Sequence, residues 1–485
     1  MNATSFLKRI WEDPNTTITL GLFILGTLFV FFSFFILQKD KPYITSRESL
    51  YTTPLIIGCI FIFISIMFAI KLLPKMDSKK DKKENICATL AREFPTLDKD
   101  TIKCIFHSCN HDVPLKDHIH VYELISINGI VDKDGTYYGM YERSGHIAPN
   151  KTSDGLVIHV AASSAGISFG DLHVIAIDLL AKEKLLIEVL EDTYRCKIFK
   201  IFFQTPKLSN EPFHIRFMFK WERAMNPFQD FDGITAKDFS YLPKEMHATL
   251  QLPGEAVLYE GITISNDGKQ ISRLKMDRNI DTKKGRFIYK VGLREISPNS
   301  THLLIVYKID KSSKLLSLRD MIEISQVSES DLNNVYIVEK SIEGNYAATR
   351  EILYDRMKMF PEGFLVAKLC DMVVGYVETC IWNVQDFTTF EEIKNFPSLF
   401  DPKGKYLYII SLCVAEPFRR KGVASKLLES VINLARQKNI SEIHLVSKKE
   451  IVTLYEKYGF EYVKDLPNFF PGFHGIFMKK RLISI

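Results

Sequence analysis

Between Tyr408 and Phe460 the chain strings together residue types that suit the grip of a phosphorylated ligand. An apolar stretch, Tyr408 to Val414, runs into the basic glycine turn Arg419-Arg420-Lys421-Gly422-Val423-Ala424; a helical pattern follows, and Leu454-Tyr455-Glu456-Lys457-Tyr458-Gly459-Phe460 closes the segment. A helix N-terminus presents unpaired backbone N–H groups and a partial positive charge, which suits a pyrophosphate. Gly422 removes the side chain that would block close approach, and Arg419, Arg420 and Lys421 add charge around it. Arg-x-x-Gly-x-Ala alone is a weak signal, because basic surface turns are common. Between an apolar strand and a helix, and followed about 30 residues later by Leu-Tyr-x-x-x-Gly-Phe, it reads as a coenzyme-binding turn ahead of a catalytic helix.

Two other constellations compete for chemistry. Gly166-Ile167-Ser168-Phe169-Gly170 matches the Gly-x-Ser-x-Gly turn that exposes a nucleophilic serine. No buried strand leads directly into it, however, and Asp171 to Ile177 alternates like a strand where a helix should follow, so a hairpin turn is the better reading. Cys104, His107, Cys109 and His111 are potential zinc ligands, but the first two belong to one amphipathic helix, whereas structural sites draw paired ligands from separate turns. No metal is expected.

The elements around the glycine turn form a strand-helix alternation. Met321 to Val327 reads as a strand, Glu329 to Ile342 and Tyr346 to Phe360 as helices, and Phe364 to Leu369 and Val373 to Ile381 as strands joined at Asp371. After an insertion from Trp382 to Lys405 come the strand ending at Val414, a helix from Val423 to Lys438, the strand Ile443 to Val446, a helix from Glu450 to Tyr458 and two final strands. Such alternation predicts a layered α/β sheet with its own core.

These residues resemble the GNAT superfamily of acyl-CoA-dependent N-acyltransferases over about residues 318–485. Gly363-Phe364-Leu365-Val366-Ala367, the long insertion, Val414-Ala415-Glu416-Pro417-Phe418-Arg419 and Tyr455 to Phe460 look most like the serotonin (arylalkylamine) N-acetyltransferases. The resemblance implies acetyl-CoA as co-substrate and direct attack by an amine, on a small molecule or a protein. It implies that Leu412, Cys413 and Val414 pair with the pantetheine arm and that Arg419, Arg420, Lys421, Gly422, Val423 and Ala424 hold the pyrophosphate. Tyr455 would protonate the departing thiolate. Arylalkylamine enzymes carry two histidines on the fourth strand; Tyr408 and Ile410 stand there instead, leaving Glu378 on the preceding strand as the nearest carboxylate base, with water as the alternative.

Upstream, the fold class is multidomain. Residues 18–37 and 54–73 are each long enough and apolar enough to span a bilayer, within an anchor covering residues 1–83. Lys8 and Arg9 before the first and Lys71, Lys75, Lys79, Lys80, Lys82 and Lys83 at the end of the second predict that both termini and all soluble domains are cytoplasmic. Residues 84–127 read as a small helical module: Phe94-Pro95 and Asp112-Val113 resemble landmarks of ubiquitin-binding CUE domains, which makes ubiquitin a weak candidate partner. Residues 128–312 alternate apolar and polar, with turns at Asp134-Gly135 and Asn266-Asp267-Gly268, and predict a β-rich domain of unknown role; the segment Asp178 to Glu191 fits a helix as an alternative.

Composition sets the outer limits. A net charge of +5 over 485 residues gives no concentrated basic face, so nucleic acid is not an expected partner. Eight mostly isolated cysteines suggest no disulfide framework. The sequence therefore predicts a membrane-anchored N-acetyltransferase in contact with the lipid bilayer. The alternative is a membrane sensor whose β-rich domain binds a ligand and whose GNAT-like domain binds acyl-CoA without turnover.

Overall fold

A computed structural model describes residues 87–110, 117–162, 166–194, 196–235, 240–265, 270–282, 285–294 and 300–482. The apolar stretches 18–37 and 54–73 lie outside these residues, and among the described residues no helix is long and apolar enough to cross a membrane. From Thr89 onward the chain forms one compact unit.

The elements of the C-terminal domain are numbered from its first strand. In chain order they are β1 Glu323–Gln326, α1 Leu332–Glu343, α2 Arg350–Met359, β2 Phe364–Leu369, β3 Met372–Trp382, β4 Tyr406–Val414, α3 Val423–Gln437, β5 Glu442–Ser447, α4 Val452–Glu456, β6 Glu461–Phe470 and β7 Phe473–Arg481. The strands form one sheet in the order β1-β2-β3-β4-β5-β7-β6, antiparallel except for β4 beside β5. The β2–β3 turn has Cys370 and Asp371 at φ 48° and 63°, the left-handed pair that a two-residue hairpin requires. In α3 the buried residues Val423, Leu427, Leu428, Val431, Ile432 and Ala435 form one helical stripe against the sheet. The expected helix over Glu450–Tyr458 is shorter: a 3-10 turn at Lys449–Ile451 leads into the five-residue α4, and Gly459 at φ 77° follows.

Most expected strands of the β-rich domain form, but its boundaries move. Its first strand, His120–Val131, begins inside the stretch read as helical, so the helical module ends earlier than residue 127. Among the described residues of this stretch, 87–93 and Lys99–Asn110 are helical, separated by the break at Pro95. They lie on the β-rich domain, with Arg273 paired to Glu93 at 3.2 Å and stacked on Phe94. The helical alternative for Asp178–Glu191 is overturned: the segment holds the end of strand Ile175–Asp178, then Glu183–Lys184 and Ile187–Asp192, turned by Lys182 at φ 59°. Strands of this domain join three sheets of eight, four and three strands.

The core of the C-terminal domain also takes in residues of the β-rich domain. Strand Tyr137–Ile147, in the eight-stranded sheet, buries Tyr138 and Met140 in the same apolar cluster as Phe418, Val423 and Leu427. Ile130 and Met218 join them from the neighbouring strands. Polar contacts fasten the joint: the Leu318 N–H donates to Asp132 at 2.9 Å, and the Cys370 N–H to the Gln251 side-chain carbonyl at 2.8 Å.

Candidate active site

β4 and β5 run side by side from Tyr406 and Glu442 to Ile409 and Leu445, and there their ladder ends. A bulge prepares the parting: Thr379 of β3 faces Ile409 but the next residue back, Glu378, faces Ser411, so Ile410 is skipped. An extra residue in one strand bends it and increases its twist. From Ser411 to Val414, β4 is therefore paired with β3 on one side only. Leu412, Cys413 and Val414 offer an unpaired backbone edge, a template for another extended chain.

The chain then turns sharply. A 3-10 turn at Glu416–Phe418 is followed by Arg420 at φ 62° and Gly422 at φ 88°, and α3 starts at Val423. No side chain caps this N-terminus, so the first N–H groups of α3, contributed by Val423, Ala424 and their successors, are left for an anion. A Cβ at Gly422 would also press to 3.0 Å from the Arg319 side chain.

The three basic residues of the turn have different surroundings. Arg419 and Arg420 are exposed, and Arg419 Nε donates to the Val414 carbonyl at 3.1 Å. Lys421 points toward the β-rich domain, with Nζ 3.5 Å from Asp132, 3.9 Å from Asp134 and over the Tyr138 ring. Nothing in the local sequence signals those carboxylates, which lie almost 300 positions upstream.

Tyr455 is buried on α4 with its ring edge-on to Phe460, 5.8 Å between centroids. Burial and the nearby Cys413 push its phenol pKa up, so it stays protonated and available as a donor. The influence of Cys413 on Tyr455 places α4 beside the unpaired end of β4.

Beside Cys413, its β3 neighbour Tyr376 is fully buried. The Tyr376 hydroxyl faces Cys413 and Glu339 without closing a hydrogen bond of good geometry to either. Glu339, on α1, was not singled out by sequence reading. Its Oε1 accepts the Ala348 N–H at 3.0 Å, Oε2 has no partner, and burial pushes its carboxyl up to about 7. Glu378, 1% exposed, likewise has one oxygen without a partner, Oε1, but its Oε2 accepts from Arg356 at 3.1 Å, and Arg356 stacks on Phe396. Burial raises the Glu378 pKa, while Arg356 pulls it back. Only an unpartnered buried carboxyl marks Glu339, and that signal needs the fold.

Tyr408 and Ile410 offer no proton relay. Tyr408 is 3% exposed and packs within the aromatic cluster of Trp382, Phe387 and Phe396 that the insertion brings over this face. At the opposite wall the link between α1 and α2 reaches two other elements: Glu343 pairs with Lys448 at 3.1 Å, and the Tyr346 hydroxyl donates to the Pro471 carbonyl at 3.2 Å. Ser168, by contrast, caps a 3-10 turn at Phe169–Leu172 rather than a hairpin, with its hydroxyl donating to Asp171 at 2.7 Å. Among the described residues no cluster of three or more His, Cys, Asp or Glu is arranged to hold a metal ion.

Comparison with known proteins points the same way. The sequence model described as "Acetyltransferase (GNAT) family" matches residues 330–460. An N-alpha-acetyltransferase of Sulfolobus acidocaldarius is 30% identical over 168 residues, 34% of this chain and 87% of that protein. One of Saccharolobus solfataricus is 36% identical over 121 residues, 24% of this chain and 66% of its own length. Among solved structures, Ard1 from Thermoplasma volcanium overlaps 33% of this chain and 98% of its own, at 23% identity and a TM-score of 0.27.

Proposed function

We propose that this chain, which belongs to the acetyltransferase (GNAT) family and is an acetyl-CoA-dependent N-acetyltransferase, takes the α-amino group of a polypeptide as its acceptor. The observation that carries the reading is the parted β4 edge running directly into the uncapped N-terminus of α3, with Tyr455 buried opposite Cys413. The polypeptide acceptor is supported by the names of the two archaeal relatives. The packed aromatic cluster around Tyr408 speaks against the arylalkylamine variant, whose proton relay would occupy that strand.

In this reading the open backbone edge of Leu412, Cys413 and Val414 binds the pantetheine arm, apart from the Val414 carbonyl that already accepts from Arg419, and the amides of Gly422, Val423 and Ala424 hold the pyrophosphate, with Arg419 and Arg420 adding charge. Lys421 contributes less, because Asp132 already faces it. Acetyl-CoA supplies an activated thioester. The acceptor nitrogen attacks its carbonyl carbon, the C–S bond breaks, and Tyr455 gives its proton to the leaving sulfur. The amine must also lose a proton. Glu339 suits that step better than Glu378: each has one buried oxygen without a partner, but Glu378 is held by the Arg356 guanidinium whereas Glu339 is paired with no cation among the described residues. Tyr376 lies between Glu339 and Cys413 and can carry the proton inward.

The same chain is anchored, on this reading, by residues 18–37 and 54–73, with the soluble part facing the cytoplasm. The full chain in lipid discs, incubated with acetyl-CoA and a mixed panel of peptides and small amines, should release free CoA fastest with peptides bearing a free α-amine. Release with small aromatic amines alone would overturn the acceptor assignment. Protease digestion in sealed vesicles checks the topology; a C-terminus protected on the lumenal side would reverse it.

A further inference from the structure

Strand Tyr137–Ile147 of the β-rich domain gives its two faces two tasks. Tyr137, Tyr141 and Arg143 line a cavity of about 720 Å³ where the three sheets of that domain converge, while Tyr138 and Met140 face the core of the acetyltransferase domain. The second face continues across the sheet. Register sets Glu142 opposite Arg216 of strand Pro212–Trp221, and Arg216 opposite Ile177 of strand Ile175–Asp178, so these three side chains form one row beside the row of Met140, Met218 and Ile175.

Helix α1 of the acetyltransferase domain packs against this face at strands Ile175–Asp178 and Glu183–Lys184. Ile337 is buried with Ile175 and Ile177, and Lys182, in the turn between the two strands, lies over the Tyr336 ring. Arg216 supplies the polar part of the contact. Its Nε donates to Glu142 at 2.7 Å, a second N–H reaches the same oxygen, and Nη1 donates to the Asn334 side-chain carbonyl at 2.6 Å. The Arg216 and Glu142 side chains are only 13% and 17% exposed, so water competes little with these charge-assisted bonds. Glu142 thus fixes the guanidinium, and the guanidinium fixes α1.

The other side of the same helix carries Glu339, about 160° around the axis from Ile337. Glu339 is itself held by a single hydrogen bond, from the Ala348 N–H, so its place beside Tyr376 depends on where α1 lies. Tyr376 and Glu378 on β3, Cys413 on β4 and Arg356 on α2 surround its carboxyl.

We propose that the β-rich domain positions the proton acceptor of the acetyltransferase site: Arg216, braced by Glu142, holds α1 through Asn334 so that Glu339 stays beside Tyr376. The proposal rests on the reading of Glu339 as that acceptor. Arg216 and Asn334 are positioning residues, which act on the reaction through α1.

The test uses the full chain in lipid discs with acetyl-CoA and a peptide bearing a free α-amine. Asn334→Ala removes the α1 end of the bridge but leaves Arg216 paired with Glu142, so the fold should be retained. It should lower kcat about tenfold and leave the KM for acetyl-CoA within about twofold. The rising limb of the pH profile, expected near 7, should move to lower pH as the loosened carboxyl gains water. Asn334→Asp keeps an acceptor for the guanidinium and should recover most of the rate. In a Glu339→Gln background, Asn334→Ala should cost less than about twofold, because both changes act on one group. A loss of urea stability with kcat and the pH limb unchanged, or an undiminished tenfold loss in the Glu339→Gln background, would overturn the positioning role while leaving Glu339 as the acceptor. A pH limb that persists unaltered in Glu339→Gln alone would instead remove the acceptor assignment, and the proposal with it.

Discussion

The acetyltransferase cleft and the cavity of the β-rich domain are built by opposite means. The cleft is made largely of backbone: a strand edge left open from Ser411 to Val414 and a helix end left uncapped at Gly422, all within a dozen consecutive residues. The cavity is made of side chains gathered from Asp117 to Leu304, among them Tyr137 bonded to Asp232. A backbone site tolerates changes of side chain as long as φ and register survive. A side-chain site depends on identities that no short stretch of sequence contains. The two also share a wall, because Tyr138 stacks on Phe418 while its neighbours Tyr137 and Tyr141 face the cavity.

The sharpest way to separate the two is to remove the one hydroxyl on which the cleft's chemistry depends. Tyr455→Phe should lower kcat about a hundredfold. The dissociation constant of acetyl-CoA should stay within about twofold, since Tyr455 is not part of the backbone edge or the helix end. Pre-steady-state CoA release together with equilibrium binding of the coenzyme checks this; a parallel loss of coenzyme affinity would return Tyr455 to the role of a packing residue.

Glu339→Gln comes next, with about a thirtyfold fall in kcat/KM and a change in its pH dependence. In the wild type the rate should climb as pH passes about 7, the value to which burial pushes this carboxyl, and in the variant that limb should flatten. Stability should move the other way. The folded-state pKa lies above the unfolded value of 4.5, so the associated stability is full below that value and is lost as pH rises through about 7. That difference corresponds to about 3 kcal/mol, which Glu339→Gln should largely remove, while keeping an acceptor for the Ala348 N–H. Urea unfolding at pH 5 and pH 8 measures it; a wild-type stability that rises over that interval would sink the assignment.

The difference in construction also explains what sequence alone made legible. The glycine turn, the Cys370–Asp371 hairpin and the stripe of α3 rest on local rules of period and φ, and each stands where those rules place it. The beginning of the β-rich domain was obscured because Ile119, Tyr122 and Ile125–Ile127 follow helices and a short break, and partnership with Tyr137–Ile147 decides their conformation. Glu339 escaped notice because a glutamate on an amphipathic helix is ordinarily a solvated face residue. Only α1 packed over Tyr376 turns it into a buried acid. The cavity left no trace at all, since Arg143 and Asp232 are far apart in the chain and neither belongs to a motif.

Gly422→Val tests the claim that the cleft is a backbone site. A β-branched residue at φ 88° costs about 1–2 kcal/mol, and its side chain would press on Arg319, so coenzyme affinity should fall about tenfold.

The smallest expected effect distinguishes two adjacent cations. Arg420 is exposed beside the helix end, so Arg420→Met should weaken acetyl-CoA about threefold and reduce the dependence of binding on salt. Lys421 already faces Asp132 and Asp134 across the domain joint, so Lys421→Met should leave coenzyme affinity within about twofold. Its loss should appear instead in stability, because Asp132, 6% exposed at its side chain, would stay buried without that cation beside it. Titrating coenzyme into both variants at low and high salt, with urea unfolding of each, separates the outcomes. If Lys421→Met weakens coenzyme binding more than Arg420→Met does, the lysine reaches the phosphates and the joint between the two domains must open for it to do so.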